Sequence, residues 1–326
     1  MIKTELHCHL DGAIPNDLFV HFAKEQGLLD CGEEEWIAKH IMDTSASLED
    51  ALSRFGLYTS LLQTKEHLSL TTEGLIEQKY NEGVRLLEIR FAPQLHTAMT
   101  MEEAVEAVLD GQNNGLKKHP DMVCGIILAM MNNDETELNA KTIDLANQYK
   151  DKGVVGIDLA GNEGYRPMED FLPMIQKAHD LGLHITLHAG ESKGEEFVKF
   201  AVDHYAERIG HGIHASGNDD LLEEIMEKDL ILEVSVTSNV LSYCVPSLAE
   251  HPVRELFDKG VKISINTDDP TLFGIDLDHE YNILKERFHF TDRELILMNL
   301  EAAQASFCKD KEKVIEKIKE ELIASV

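Results

Sequence analysis

Two histidines near the start of the chain, His7 and His9, stand one residue apart in the stretch ELHCHLDG. The run Thr4–Leu10 predicts a β-strand, in which side chains two positions apart point to the same side. The two imidazoles can therefore bind one metal ion together, whereas Cys8 between them points the other way. By itself this pair is a modest signal, because two polar residues of an ordinary strand give the same pattern.

Polar side chains follow three later predicted strands in the same way. LHAGE holds His188 and Glu191, RIGHG holds His211, and NTDDP holds Asp268 and Asp269. Three histidines and an aspartate suit Zn²⁺, which leaves a coordination position open for water. Each group also has an ordinary alternative, since Glu191 can favour a helix start, His211 can occupy a turn and Asp269 before a proline can cap a helix. Such alternatives are much harder to sustain at four strand ends together.

Strands and helices alternate along the chain. The predicted strands are Thr4–Leu10, Val84–Phe91, Met122–Met130, Val154–Leu159, His184–His188, Arg208–His211, Leu230–Val236 and Lys262–Asn266. Helical periodicity covers Met101–Lys117, Glu135–Lys150, Pro167–Leu181, Glu195–Ala206 and Asp219–Lys228. Eight such units predict a (β/α)₈ barrel with its active site at the carboxyl ends of the strands. The alternative, a doubly wound open sheet, needs a glycine-rich phosphate turn after an early strand, and the sequence has none.

The whole chain, residues 1–326, is expected to form a single domain because no linker rich in proline, glycine or serine divides it. Residues 17–79 are too many for one crossover helix and predict a helical insertion over the barrel mouth. Within it, Leu48, Leu52, Phe55 and Leu62 recur at helical spacing. The tail from Asp292 to Val326 is also predicted to be helical.

Composition excludes several classes of partner. The 60 acidic and 30 basic residues give a net charge of −30, which disfavours nucleic acid, anionic membrane and phosphorylated substrates and also keeps a protein soluble. The five cysteines are odd in number and scattered, as is typical of a reducing compartment. No apolar signal core precedes Glu5, and no stretch approaches a membrane span. We therefore expect a cytoplasmic protein.

The motifs ELHCHLDG, DLAGNE, HAGE, RIGHG and NTDDP occur in this order between Glu5 and about Phe273. Together they resemble the adenosine deaminases of the metal-dependent amidohydrolase superfamily. The resemblance implies a (β/α)₈ barrel with one zinc ion per chain. It also implies hydrolysis of adenosine to inosine and ammonia, and we expect 2′-deoxyadenosine to be accepted as well. The small-molecule partner is thus a purine nucleoside, and a monomer is the default expectation.

The same resemblance assigns residue roles. It implies zinc ligation by His7, His9, His188 and Asp268, and attack of zinc-bound hydroxide on C6. Glu191 would protonate N1, which requires a raised pKa for its carboxyl group. His211 would steer the water and stabilise the developing alkoxide, and whether it is also a base stays open.

The remaining matched residues would bind substrate. Asp269 would accept hydrogen bonds from the water near N7, and Gly161 would offer its backbone N–H to N3. His9 is placed beside the substrate as well as the metal. Asp11 would bind the ribose 5′-hydroxyl, and the apolar stripe of the insertion would either cover the purine or pack on the barrel. Adenine and aminodeoxyfutalosine deaminases typically read HLEG, so the shorter Asp11 favours a nucleoside.

Two departures from the family pattern leave local roles open. Asn162 stands where aspartate is usual, and Ser235-Val236 replace Cys-Pro. Other hypotheses are an adenine or aminodeoxyfutalosine deaminase, an AMP deaminase, a two-metal hydrolase and a catalytically inactive nucleoside-binding barrel. The fourth strand, VVGIDLAG, lacks the lysine that commonly bridges two metals, which favours a single ion.

Overall fold

The fold is built on eight parallel β-strands that follow one another in the order of the chain. The computed structural model describes residues 1–45 and 47–325. The strands are β1 (Lys3–His9), β2 (Val84–Phe91), β3 (Val123–Met131), β4 (Val154–Ala160), β5 (His184–Ala189), β6 (Arg208–His211), β7 (Ile231–Val234) and β8 (Lys262–Ile265). The sequence predicted all eight within two residues, and the predicted (β/α)₈ barrel is confirmed.

The barrel closes between β1 and the residues just after β8. The N–H of His9 donates to the carbonyl of Asp268 at 2.8 Å, and the N–H of Asp268 donates to the carbonyl of His7 at 3.1 Å. The two segments run parallel there through a bridge between Cys8 and Asp268. The first strand and the end of the last strand therefore meet at the same rim.

An irregular register in β1 sets the direction of its side chains. Glu5 pairs with Leu87 and Cys8 with Ile89, so three steps along β1 match two along β2. Such bulges re-aim side chains and are frequent near active sites. Glu5 and Cys8 both lie on the outer side, where Thr267 donates to Glu5 at 2.5 Å and its hydroxyl lies 4.0 Å from the Cys8 sulfur. Burial raises the pKa of the Cys8 thiol well above its usual value.

Helices surround the strands, as the periodicity predicts. Between β1 and β2 lie α1 (Asn16–Glu25), α2 (Glu33–His40), α3 (Leu48–Ser53), α4 (Phe55–Leu61) and α5 (Lys65–Asn81). The crossovers hold α6 (Met101–Lys118), α7 (Thr136–Tyr149), α8 (Leu172–Asp180), α9 (Glu195–Asp203), α10 (Asp219–Glu227), α11 (Val236–Leu241) and α12 (Val253–Asp258). After β8 come α13 (Pro270–Phe273), α14 (Leu277–Phe288), α15 (Asp292–Ala305) and α16 (Glu312–Ala324). Short 3₁₀ turns occupy Leu10–Gly12, Pro93–Leu95, Met168–Phe171, Ile213–Ala215 and Leu248–Glu250.

Two details of the prediction were wrong. Val236 was placed in the seventh strand, but it is the first residue of α11. The apolar stripe of the insertion was placed at one continuous helical spacing, but α3 and α4 are separate helices that meet at Arg54. Val326 and Ala46 lie outside the described residues.

The strands alternate between apolar side chains that face the helices and polar side chains that face the barrel interior. In β5, for example, Ile185 and Leu187 belong to the apolar core, whereas Thr186 and His188 are buried polar residues. This alternation delivers polar groups to the inside of the barrel, where a site can be built. Among the described residues, none of the helices is long and apolar enough to cross a membrane.

Candidate active site

Four side chains converge at the carboxyl end of the barrel. Nε2 of His9 lies 3.2 Å from Nε2 of His7 and 3.3 Å from Nε2 of His188. Oδ1 of Asp268 lies 3.2 Å from Nε2 of His7 and 3.4 Å from Nε2 of His9. All four atoms lie within 4.8 Å of one another. The structure thus brings together the four residues that the sequence proposes as metal ligands.

Carboxylates behind two of these imidazoles make the cluster suitable for a cation. Nδ1 of His7 lies 3.0 Å from Glu233, and Nδ1 of His188 lies 2.9 Å from Asp158. These carboxylates draw the ring proton to the outer nitrogen, as outer carboxylates do in metal sites, and leave the Nε2 lone pairs facing inward. Lone pairs that face a carboxylate at 3.2 to 3.4 Å need a positive charge between them. Nitrogen and oxygen donors in this ratio suit Zn²⁺.

A buried charge network supports the two outer carboxylates. Arg90 donates to Asp158 at 2.8 Å and to Glu233 at 2.7 Å, and Arg208 contacts Glu233 at 2.7 Å. Burial opposes ionisation of Glu233, but the two arginines and His7 hold its pKa well below its usual range. The sequence analysis gave these residues no role, although Asp158 and Arg208 begin the motifs DLAGNE and RIGHG, because their pairing forms only across the barrel. A charged residue in an otherwise apolar strand was the available signal.

His211 and Asp268 have left-handed backbone conformations, with φ of +60° and +63°. This region is unusual for residues other than glycine and marks strain that surrounding contacts must hold. Ser238 on α11 donates to Oδ2 of Asp268 at 2.7 Å, and the Asn239 amide lies 3.0 Å from Nδ1 of His211. Nε2 of His211 lies 3.8 Å from the Glu191 carboxylate. Burial lowers the pKa of His211 well below the ordinary value.

Glu191 is a buried carboxyl group on the cavity wall. Burial and the neighbouring charge of Asp268 raise its pKa to about 8. Its loop is held by Glu163, whose carboxylate accepts the backbone N–H groups of Gly190 at 2.5 Å, Glu191 at 3.1 Å, Ser192 at 2.8 Å and Lys193 at 2.9 Å. The sequence motif DLAGNE contained Glu163, but its role was not recognised because the four N–H groups lie 27 to 30 residues away.

Asp269 lines the same cavity, and its carboxylate lies against the backbone of Gly12. A Cβ atom on Gly12 would lie 2.0 Å from Oδ1 of Asp269, so only glycine fits at that position. Oδ1 of Asp269 is buried and has no hydrogen-bond partner among the described residues. Burial and the charges of Asp268 and Asp11 raise the pKa of Asp269 well above its usual value.

Asp11 lies at another part of the wall beside a residue that the sequence analysis missed. Its Oδ1 is 3.1 Å from Nε2 of His96, and both side chains are buried. Nδ1 of His96 lies 3.0 Å from the carbonyl of Leu62. The carbonyl of Leu62 thus orients the ring of His96, which lies beside the Asp11 carboxylate.

The cavity has a volume of about 510 Å³. Its wall includes Gly161, with φ of +95°, and Asn162, one of the two departures from the family pattern. Three residues of the apolar stripe, Leu48, Leu52 and Phe55, line it from α3 and α4, whereas Leu62 is buried elsewhere. At the other departure, Ser235 and Val236 are both buried and begin α11.

The fold and this site define a class: a barrel hydrolase with a histidine and aspartate cluster that can bind a metal beside a buried acid. The family model described as adenosine deaminase matches residues 2–324. The chain is 36% identical over 318 residues to the adenosine deaminase of Haemophilus ducreyi, covering 95% of this chain and 92% of that protein. The chain belongs to the adenosine deaminase family, and its reaction is the hydrolytic removal of a purine amino group.

Two solved structures have the same fold. An adenine deaminase from Arthrobacter aurescens superposes with a TM-score of 0.88 at 26% identity, covering 98% of both chains. An N6-mAMP deaminase from Arabidopsis superposes with a TM-score of 0.86 at 26% identity, covering 99% of this chain and 98% of that one. Substrates in this group of barrels therefore differ in what is attached to the purine.

Proposed function

We propose that this chain deaminates adenosine and 2′-deoxyadenosine with a single zinc ion held by His7, His9, His188 and Asp268. The observation that carries the proposal is the arrangement around one cavity of four converging ligand atoms and the buried carboxyl group of Glu191. Zinc held there would supply Lewis acidity for the attack of water on C6 near neutral pH.

Glu191 supplies the proton that makes the purine reactive. A carboxyl group with a pKa of about 8 is protonated at neutral pH and can donate to N1. Protonation of N1 withdraws electrons from C6 and so favours addition of the water oxygen. When the new C6 hydroxyl becomes a carbonyl, its proton returns to Glu191.

Asp269 and His211, which line the same cavity as Glu191, act on the attacking water. The carboxylate of Asp269, which lines the cavity, accepts a hydrogen bond from the water and takes its first proton. That proton passes to the amino group, which leaves as ammonia. Water has then supplied one oxygen to C6, one proton to N1 and one proton to the leaving group, which balances the conversion of adenosine to inosine.

Binding of a nucleoside is supported by the composition of the cavity wall. Among the described residues that line it, none is lysine or arginine, so a 5′-phosphate would meet no compensating positive charge. Asp11 can accept a hydrogen bond from a 5′-hydroxyl, and its negative charge opposes a phosphate. The apolar side chains of α3 and α4 suit the purine ring.

A reducing compartment suits the cysteines of this chain. All five are free, and three of them, Cys8, Cys124 and Cys308, are buried. We place the enzyme in the cytoplasm on this ground.

A panel of substrates tests the proposal. Zinc-analysed protein is incubated with adenosine, 2′-deoxyadenosine, adenine and AMP, and deamination is followed by ultraviolet absorbance. We expect turnover of the two nucleosides, its loss when the metal is stripped and its return with zinc. Turnover of adenine instead would reassign the substrate and the role of Asp11, while turnover of none would indicate a binding protein.

A further inference from the structure

A chain of three buried hydrogen bonds leads from a backbone amide to His211. The N–H of Val253 donates to Nδ1 of His251 at 3.2 Å. Nε2 of His251 lies 3.2 Å from Oδ1 of Asn239, and Nδ2 of Asn239 lies 3.0 Å from Nδ1 of His211. His251, Asn239 and His211 are 4%, 0% and 1% exposed, so water does not compete for these bonds.

The direction of all three hydrogen bonds follows from the first one, which the backbone N–H of Val253 donates. A backbone N–H can only donate, so Nδ1 of His251 must be the acceptor and carry no proton. Burial lowers the pKa of His251 to about 3, which keeps the ring neutral with its proton on Nε2. That proton is donated to Oδ1 of Asn239, which fixes the orientation of the amide.

With its oxygen facing His251, Asn239 must turn its NH₂ group toward His211. Nδ1 of His211 then accepts and carries no proton. The remaining ring proton of a neutral His211 lies on Nε2, the nitrogen that faces Glu191 and Asp268 across the cavity at 3.8 and 3.9 Å. This nitrogen is therefore a donor toward the reacting position.

We propose that His251 and Asn239 are positioning residues that hold His211 in the tautomer with its proton on Nε2. In this form His211 donates a hydrogen bond to the oxygen that adds to C6 and cannot be the base that deprotonates the water. The assignment rests on the proposed function for the identity of the substrate, but the tautomer itself does not. It resolves the choice of role for His211 that the sequence left open.

The tautomer can be measured directly in the full, zinc-loaded chain. Nitrogen-15 labelling of histidine distinguishes a ring nitrogen that bears a proton from one that does not, and His211→Gln identifies the His211 signals by their loss. We expect Nε2 of His211 to bear the proton. A proton-free Nε2, whether free or bound to metal, would overturn the proposal.

Asn239→Asp keeps the shape of the side chain but reverses the direction of the hydrogen bond between residue 239 and His211. A carboxylate at this position accepts from Nδ1 of His211 and so draws the proton away from Nε2. We expect the reversed tautomer, a decrease in kcat for adenosine of about 100- to 1000-fold and a KM within about threefold, because a donor to the developing oxyanion is lost. The matched control is Asn299→Asp, a buried asparagine that contacts the N–H of Thr4 far from the cavity. A reversed tautomer with wild-type kcat, or a wild-type tautomer in Asn239→Asp, contradicts the proposal.

Two substitutions of His251 decide the matter if Asn239→Asp does not fold. His251→Phe keeps a ring of similar size but removes the donor to Asn239, which frees the amide to turn over. His251→Gln restores an amide donor and an acceptor for Val253. We expect mixed tautomers of His211 and a decrease in kcat of about tenfold in His251→Phe, with both effects reversed in His251→Gln. Equal kcat and equal spectra in the two variants would refute the inference. If the wild type does not turn over adenosine but Nε2 of His211 bears the proton, only the proposed function would be refuted.

Discussion

Nδ1 of His188 lies 2.9 Å from Oδ2 of Asp158, a carboxylate oxygen that Arg90 also contacts at 2.8 Å. Asp158 lies outside the cluster of His7, His9, His188 and Asp268, but it favours the proton on Nδ1 of His188. We expect Asp158→Asn to weaken zinc binding by about 10- to 100-fold, because an amide can donate to Nδ1 and favour the wrong tautomer. Competition with a chelator measures this affinity. Asp278→Asn, which removes an exposed partner of Lys3, is the control, and unchanged zinc affinity in Asp158→Asn would contradict the assignment.

Glu191→Gln tests the proton donor. The amide keeps the shape of the side chain but cannot give a proton to N1, so we expect kcat to fall by about 10²- to 10⁴-fold. Zinc content and the affinity for a nucleoside inhibitor should be retained. Steady-state kinetics, metal analysis and calorimetric binding separate these quantities, with the exposed Glu195→Gln as control. Near-normal turnover would remove Glu191 from this role.

Asp11→Ala tests recognition of the ribose. A buried carboxylate that accepts a hydroxyl hydrogen bond contributes about 1.5–3 kcal/mol, which corresponds to roughly 10- to 100-fold in kcat/KM. We expect this loss with adenosine and almost none with 5′-deoxyadenosine, which lacks the hydroxyl group. The ratio of the two kcat/KM values in wild type and variant is the measurement. An equal loss with both substrates would mean that Asp11 acts elsewhere in the reaction.

Glu280→Gln is expected to make stability less dependent on pH. Glu280 is buried on α14, accepts the N–H of Thr237 at 3.2 Å, and burial raises its pKa to about 7 from an ordinary 4.5. Below pH 4.5 the group is protonated in both folded and unfolded chains. Between about pH 4.5 and 7 the unfolded chain releases this proton first, so the folded state loses stability as the pH rises.

The expected loss for wild type relative to the variant is roughly 3 kcal/mol across this interval. Urea unfolding of metal-free wild type and variant at several pH values measures it, since the contributions of all other groups cancel in the difference. Glu286→Gln, exposed on the same helix, serves as the control. A difference in unfolding free energy that does not change with pH would show that Glu280 is ionised normally.

The sequence placed His7, His188 and Asp268 at strand ends, which share one rim of a parallel barrel, and the family resemblance grouped them as metal ligands. The structure brings their side chains together there. The sequence did not predict the residues that orient them. Asp158, Glu233 and Arg90 pair only through the closed barrel, and nothing in the residues beside them in the chain signals that pairing. The left-handed backbone of His211 and Asp268 was equally invisible, because neither residue type requires it.

The closure of the barrel between β1 and the residues just after β8 also determines when the barrel can form during synthesis. His7 and His9 are made more than 250 residues before Asp268, which completes their cluster and pairs with β1. A nascent chain that stops before this point has neither the fourth member of the cluster nor the closed barrel. A metal ion that needs all four of these residues would therefore bind only after translation has passed Asp268.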